Sequence, residues 1–375
     1  MRAKLSDVAA AAGVSTSTVS LVLNDRARRI PAATREKVRR AAAEVGYSPN
    51  ALARSLRTRR TRTVGLLSDR IATTPYAGRL LSGAQDVALS NDHLVVLVNT
   101  DGDREIEVDA VATLASHQVD AMIYAAMWHR LVPVPEGLPP GTVFLDCRPE
   151  GGGFPAVVPD DERGGRAATE VLLASGHRRI AYIDADEEDL PIASGLRLAG
   201  YRAALLEAGI TPDPALHVRA EVNAAGGRSA LGRLIALPPR QRPTGIFCFN
   251  DRIASGVYSA AHRAGLEIPR DLSVVGYDDQ QLIAAELDPP LTTVALPHEA
   301  MGRWATEVAL GIREIEKDGE IHRMECPVVL RSSVGPPLTS ITPASDGPTA
   351  TPSGRTGATT EAVPGWQPGS EEGTP

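Results

Sequence analysis

From Thr63 to about Val334, short runs of β-branched and aliphatic residues alternate with stretches of helical periodicity. That alternation constrains the fold more than any other feature, because it is the pattern of parallel α/β proteins. The runs Thr63–Leu67, Leu94–Asn99, Ala121–Ala125, Thr142–Asp146, Arg179–Asp184, Gly245–Phe249, Ser273–Tyr277 and Val328–Leu330 predict strands. Amphipathic helices are predicted in the gaps, among them Gly78–Leu89, Gly164–Ser175, Leu198–Ala208, Ala254–Ala264 and Glu299–Gly311. Repeated βα units predict a doubly wound parallel sheet, and two sets of them predict two lobes.

The texture changes at both ends. Residues 1–48 are rich in Ala and Arg, with helical periodicity and almost no strand signal, and residues 49–62 form a short basic connector. Pro, Gly, Ser and Thr dominate residues 336–375, so a disordered tail with little to bury is expected there. The expected organisation is an all-α head (1–48), a hinge and linker (49–62), a core (63–335) and the tail. Within the core the lobes are expected at roughly 63–160 plus 291–325, and 161–290 plus the final strand.

Charge divides the same way. Residues 1–60 hold 13 Lys and Arg against four acidic residues, a net +9 that leaves −16 for the rest of a chain totalling −7. A basic end on an acidic body points to a polyanion partner for the end alone, although a solvated basic face fits the charge equally well. The motif beside it decides. Val8, Ala9 and Ala12 share one face of a first helix, and Val19 and Val22 share the buried face of a second. Between them Gly13 suits a turn with positive φ, and Ser15 suits the N-cap of the second helix. This is the pattern of a helix-turn-helix, whose second helix enters the major groove of DNA.

The run from Leu5 to Asn24, with Thr34-Arg35-Glu36-Lys37-Val38 and Gly46-Tyr47-Ser48-Pro49-Asn50, resembles the head of the LacI/GalR family of bacterial repressors. The resemblance implies base-edge contacts from Thr16, Ser17 and Leu21 and phosphate contacts from Thr18 and Ser20. Ser15, Asn24 and Asn50 complete the expected DNA-facing set. Leu21 stands where many relatives carry an Arg that pairs with guanine, so the operator is expected to differ. Lys4 replaces the usual capping Thr, leaving the first helix without that cap. In the hinge, Ala53 and Leu56 match residues that the family places in the minor groove, with Leu56 as the apolar wedge. Ala51–Arg57 is too short to be a stable helix alone.

The body resembles the family's core, which shares its fold with periplasmic sugar-binding proteins, through Ser175–Ala181, Arg197–Tyr201, Phe249-Asn250-Asp251, Ser273–Asp279 and Pro290–Val294. The fold class expected is therefore α/β: an N-terminal helix-turn-helix head on a two-lobed, periplasmic-binding-protein-like core of doubly wound parallel sheets. Asp146, Asn250 and Asp278 fall just after strand ends, where open α/β sheets bind ligands. By resemblance Asp69 and Arg197 join them, with Tyr76 at a position often aromatic. Carboxylates, amides and Arg suit sugar hydroxyls, while an aromatic face suits the apolar side of the ring. For Arg197 and Asp278 a structural ion pair is the competing reading. Asp251 reads as a structural cap, and His177 as a structural residue at a helix–strand junction. Val222 departs from the aromatic that many sugar-responsive relatives carry there. A neutral sugar is the effector expected first, and a purine or other metabolite the alternative.

No GxGxxG after a strand, no GxxxxGK[ST] and no GxSxG occurs, so no enzyme is expected. The scattered His residues and the distant Cys147, Cys248 and Cys326 suggest neither metal nor cofactor. No apolar run is long enough to span a membrane and no secretory signal opens the chain, so a cytoplasmic protein is expected. The expected partners are double-stranded operator DNA, a small-molecule effector and a second copy of the chain, in a homodimer or a tetramer. The alternative of a solute-binding protein without DNA is disfavoured by the basic head.

Overall fold

The computed structural model describes residues 3–23, 27, 29–47, 60–71, 77–186, 192–317 and 319–338. Of the residues singled out above, Asn24, Asn50, Ala53, Leu56 and Tyr76 lie outside this set, as do most of the linker and the tail.

The head is three helices, α1 (Leu5–Ala12), α2 (Thr16–Leu23) and α3 (Ala32–Glu44). Val8, Ala9 and Ala12 of α1 close on Val19 and Val22 of α2 and on Val38, Ala41 and Ala42 of α3. Small residues dominate this core, so the helices approach closely. The axes of α1 and α2 are bent 103° apart.

The first lobe is built on a six-stranded parallel sheet, ordered β13-β7-β5-β3-β1-β2. Its strands are β1 (Thr63–Ser68), β2 (Leu94–Asn99), β3 (Ala121–Ala125), β5 (Val143–Leu145), β7 (Ala156–Pro159) and β13 (Ile321–Met324). Alternate residues face opposite sides. Val64, Leu66 and Ile123 pack with Leu80, Ala84, Met301 and Trp304 from α4 (Ala77–Ser90) and α10 (His298–Ala309). Leu67, Tyr124 and Phe144 pack with Ala110 and Val111 from α5 (Arg104–Ser116). A two-stranded ribbon, β4 (Leu131–Val132) with β6 (Arg148–Pro149), lies beside them.

The second lobe is ordered β14-β12-β11-β10-β8-β9, parallel except for β14. It comprises β8 (Ile180–Ala185), β9 (His217–Ala220), β10 (Gly245–Cys248), β11 (Ser273–Asp278), β12 (Thr292–Ala295) and β14 (Val328–Val329). The helices α6 (Asp161–Ala174), α7 (Ile192–Glu207), α8 (Ala224–Ile235) and α9 (Asp251–Arg263) accompany it. The chain passes between lobes after Pro159, after Ala295 and after Met324.

The second passage corrects the sequence-based lobe boundary. Residues 291–325 were assigned to the first lobe, yet Thr292–Ala295 pairs with Val275–Asp278 of the second. A Thr-rich strand carries no sign of which sheet it will join. Six strands of two to four residues, β4, β6, β7, β9, β12 and β13, went unread. His217–Ala220 and Ile321–Met324 are also half-solvated, and polar side chains break their apolar signal.

Candidate functional sites in the head and the cleft

In the head, local chemistry sets the geometry. Gly13 has φ +60°, a conformation in which a Cβ is costly, and it ends α1 with Val14 N donating to the carbonyl of Ala9 at 3.1 Å. The Ser15 hydroxyl then accepts from Thr18 N at 3.1 Å, capping α2. At the start of α1, Lys4 offers no side-chain cap, but Asp7 accepts from Lys4 N at 2.8 Å. With Val19 and Val22 buried, α2 turns Ser15, Thr16, Ser17 and Leu21 outward, and Thr18 and Ser20 are half-exposed. Leu21, 43% exposed, is a large apolar side chain on a face with no core of its own to join. Lys37 and Arg40 of α3 are exposed as well.

In the core, Asp146, Arg197 and Asp278 come together at one nearly closed pocket of about 10 Å³, the space of a single water, lined by residues of both lobes. Arg197 is held by α7, and α7 reaches α6 closely: a Cβ on Gly165 would sit 2.4 Å from the Arg197 carbonyl oxygen. That approach sets Arg197 against Asp161. Its Nε donates to Asp161 Oδ1 at 2.9 Å, its Nη1 to the carbonyl of Phe249 at 2.7 Å, and Asp278 Oδ1 lies 3.8 Å away. The guanidinium also stacks 3.6 Å from the Tyr277 ring centre and 4.5 Å from that of Phe249. The principal ion pair is thus Arg197 with Asp161, and Asp278 is the more distant partner.

The ionisation states follow from burial and neighbours. Burial works against the Asp161 carboxylate, but Arg197 and the hydrogen bond from His129 outweigh it and hold its pKa below the ordinary value. Asp278 is pushed up to about 6, because burial exceeds the help of Arg197. Burial likewise raises Asp146 well above the ordinary carboxyl range, reinforced by the charge of Asp161. His298 falls to about 4 through burial and the nearby cations Arg79 and Arg197. Asp146 and Asp278 have φ of +56° and +100°, backbone that non-glycine residues rarely adopt and that clusters at functional sites.

Two buried polar atoms of this pocket, Asp146 Oδ1 and His129 Nε2, have no hydrogen-bond partner among the described residues. Trp128 lines the same pocket and meets Phe249 with ring centres 6.2 Å apart. Two other residues expected here are not among those lining this pocket. The Asp69 carboxylate accepts from Arg70 N at 2.6 Å, Met127 N at 3.1 Å and Arg130 Nη2 at 3.0 Å, and it is not among the pocket-lining residues. Asn250 caps α9, accepting from Ile253 N at 3.0 Å, and its buried Nδ2 has no hydrogen-bond partner among the described residues. Asp251 accepts from Gln280 N and the Thr293 hydroxyl, and His177 joins Thr244 to the Gly335 carbonyl.

Sequence reasoning passed over Trp128, His129, Asp161 and His298. Met127-Trp128-His129 follows the predicted strand Ala121–Ala125 after a single residue, so the strand-end rule that found Asp146 points to them as well. Asp161 and His298 follow strands that were themselves unread. Among the described residues no cluster of His, Cys, Asp and Glu is placed to hold a metal ion, and no single helix is long and apolar enough to cross a membrane.

Residues 4–50 match the bacterial regulatory proteins of the lacI family, and residues 169–334 match a periplasmic binding protein-like domain. Across the chain, the HTH-type transcriptional repressor PurR of Vibrio atlanticus is 33% identical over 342 residues, covering 88% of this chain and 98% of that protein. The chain belongs to the lacI family. It is a DNA-binding transcriptional regulator with a helix-turn-helix head and a two-lobed core of the kind that responds to small-molecule effectors. The ribose operon repressor of Escherichia coli is 36% identical over 317 residues, with 82% of this chain and 92% of that protein covered. The lac repressor dimer bound to operator and an anti-inducer superposes with a TM-score of 0.71 at 26% identity, over 89% of this chain and all of that one. A complex of the transcriptional regulator CelR with cellobiose gives 0.61 at 30% identity, over 88% of this chain and all of that one.

Proposed function

We propose that this regulator is a repressor whose pairing with a palindromic operator is set by a neutral sugar, taken up between Asp146, Arg197, Asp278, Trp128 and His129 when the lobes part to widen their pocket. The observation that carries this reading is the pair of unpartnered polar atoms, Asp146 Oδ1 and His129 Nε2, in a pocket that also presents the Trp128 ring. Buried polar groups are nearly always hydrogen-bonded, so such atoms suit a ligand rich in hydroxyls, with the indole covering its apolar face. Asp161 neutralises Arg197, which weakens any claim of a phosphate or carboxylate on that cation. Asp69 holds Met127 and Arg130, and Asn250 orients α9.

In the head, Thr16, Ser17 and Leu21 read base edges, while Ser15, Thr18 and Ser20 approach phosphates. The solved relative on operator is a dimer. A homodimer would place two such helices on half-sites about one helical turn apart. A purine base is the second reading, favoured by the flat Trp128 surface and by the likeness to repressors named PurR.

Thermal unfolding of the full chain with a panel of mono- and disaccharides, and with hypoxanthine and guanine, separates the two. Saturating ligand at about 100 times its Kd stabilises by roughly 2.7 kcal/mol, a shift of several degrees. A shift with one or more sugars is expected. A shift with a purine base alone would overturn the sugar reading.

A further inference from the structure

The segment Met127–Arg130 has its ends fixed to the first lobe and its centre fixed to the second. Met127 N and Arg130 Nη2 both donate to Asp69, and Arg148 N donates to the Arg130 carbonyl at 2.9 Å. Between them, His129 Nδ1 lies 2.8 Å from Asp161 Oδ2 at the start of α6, and Ala193 N of α7 donates to the His129 carbonyl at 3.3 Å. Trp128 adds its contact with Phe249 of the second lobe. Two hydrogen bonds and one ring contact thus cross the cleft from consecutive residues.

We propose that His129 is a positioning residue of the regulator's response: Asp161 holds its ring as the Nδ1–H tautomer, so Nε2 is a hydrogen-bond acceptor in the effector pocket while Nδ1 latches the lobes. The inference deepens the effector-site reading and rests on it. The chemistry starts at Asp161. This carboxylate already accepts from Arg197 through Oδ1, and its pKa lies below the ordinary value, so it has no proton to give to His129. The proton in the 2.8 Å contact therefore belongs to Nδ1. In a neutral imidazole the other nitrogen then carries a lone pair and can only accept.

That nitrogen is buried, belongs to a residue lining the pocket and has no partner among the described residues. The matching ligand group is a hydroxyl or N–H donor, beside whatever the ligand offers to Asp146 Oδ1. A ligand that binds Nε2 polarises the ring and strengthens Nδ1–H toward Asp161, so occupancy of the pocket tightens the latch. The groups facing the ring are Asp161 from α6 and, across the same pocket, Arg197, Asp146, Asp278 and His298.

The test needs no effector, so its failure is distinct from failure of the sugar reading. Nitrogen-15 NMR of histidine-labelled full-length protein at neutral pH reads the protonated nitrogen directly, with His129 assigned by the signal missing in His129→Asn. A neutral ring protonated at Nδ1 is expected. Protonation at Nε2, or at both nitrogens, would overturn the acceptor assignment. Hydrogen exchange then reads the latch. His129→Ala should raise exchange in residues 126–132 and 192–197 by roughly tenfold or more. His129→Asn, whose amide can still donate to Asp161, should restore most of the protection. Unchanged exchange in a folded Ala variant, or rescue by Gln in place of Asn, would overturn the latch.

Discussion

The head and the cleft solve opposite problems of assembly. In the head, the turn at Gly13, the cap at Ser15 and the outward residues Thr16, Ser17 and Leu21 lie within one turn or two of each other along the chain. Their geometry follows from backbone conformation and capping alone. The cleft gathers Trp128, Asp146, Asp161, Arg197, Asp278 and His298 from both lobes, and its key contact, Arg197 with Asp161, joins residues 36 apart. Its polar groups are buried and coupled, so each one's state depends on the others. The head is a surface of independent contacts. The cleft is a network.

The difference predicts very unequal responses to single substitutions. The largest is expected at Arg197→Ala, which leaves the carboxylates of Asp161 and Asp278 buried without their cation. Breaking a buried pair in this way costs about 3–5 kcal/mol, to be read as a lowered urea midpoint. Thr16→Ala, on the exposed face of α2, should leave that midpoint unchanged. Equal stability of both variants would dissolve the contrast.

A smaller effect, and one that sharpens it, is pH dependence. The Asp278 carboxyl is raised from 3.8 to about 6, so between these values the folded state keeps a proton that the unfolded chain has lost. Its contribution is present in full below about pH 4 and falls away as pH rises to 6. His298 is lowered from 6.5 to about 4, so over that window the unfolded chain binds the extra proton and stability rises with pH. Each amounts to about 3 kcal/mol in order of magnitude, with opposite sign, and in the native cleft they offset. Relative to wild type, Asp278→Asn should therefore gain stability from pH 4 to 6.5, and His298→Asn lose it, in urea unfolding across that range. Parallel pH profiles for the two variants would contradict the opposed assignment.

The smallest effects belong to the head. Ser15→Ala removes the hydroxyl that caps α2 and should cost about 1 kcal/mol. Gly13→Ala places a Cβ at φ +60° and should cost roughly as much. Both are read as earlier thermal loss of the head's amides in NMR, with the core's unfolding unmoved.

The same contrast governs what the chain reveals before folding. Gly13, Ser15 and the buried stripe Val8, Ala9, Ala12, Val19 and Val22 were legible because helices and caps are local. The central strands were legible because sheets covered on both faces need continuous apolar runs. Arg197, Asp146 and Asp278 were reached through resemblance and the strand-end rule. Asp161 was not, because its importance comes from α7 packing on α6 through Gly165, which no local pattern records. Asp69 was expected at the pocket by resemblance. Its carboxylate serves Met127 N and Arg130, a contact across about sixty residues of chain that the strand order β3-β1 brings about and no local pattern records.

The central claim is that the cleft governs the head without touching DNA. It is tested most directly by fluorescence anisotropy on a duplex selected from a random library by the protein itself. Wild type and Asp278→Asn are titrated with and without the sugar that shifts thermal unfolding most. The account predicts that the sugar changes wild-type affinity at least about tenfold, roughly 1.4 kcal/mol of coupling between the sites. Asp278→Asn should bind the duplex as wild type does without sugar and show little response to it. A variant that responds fully, or that loses the duplex even without sugar, would contradict the account.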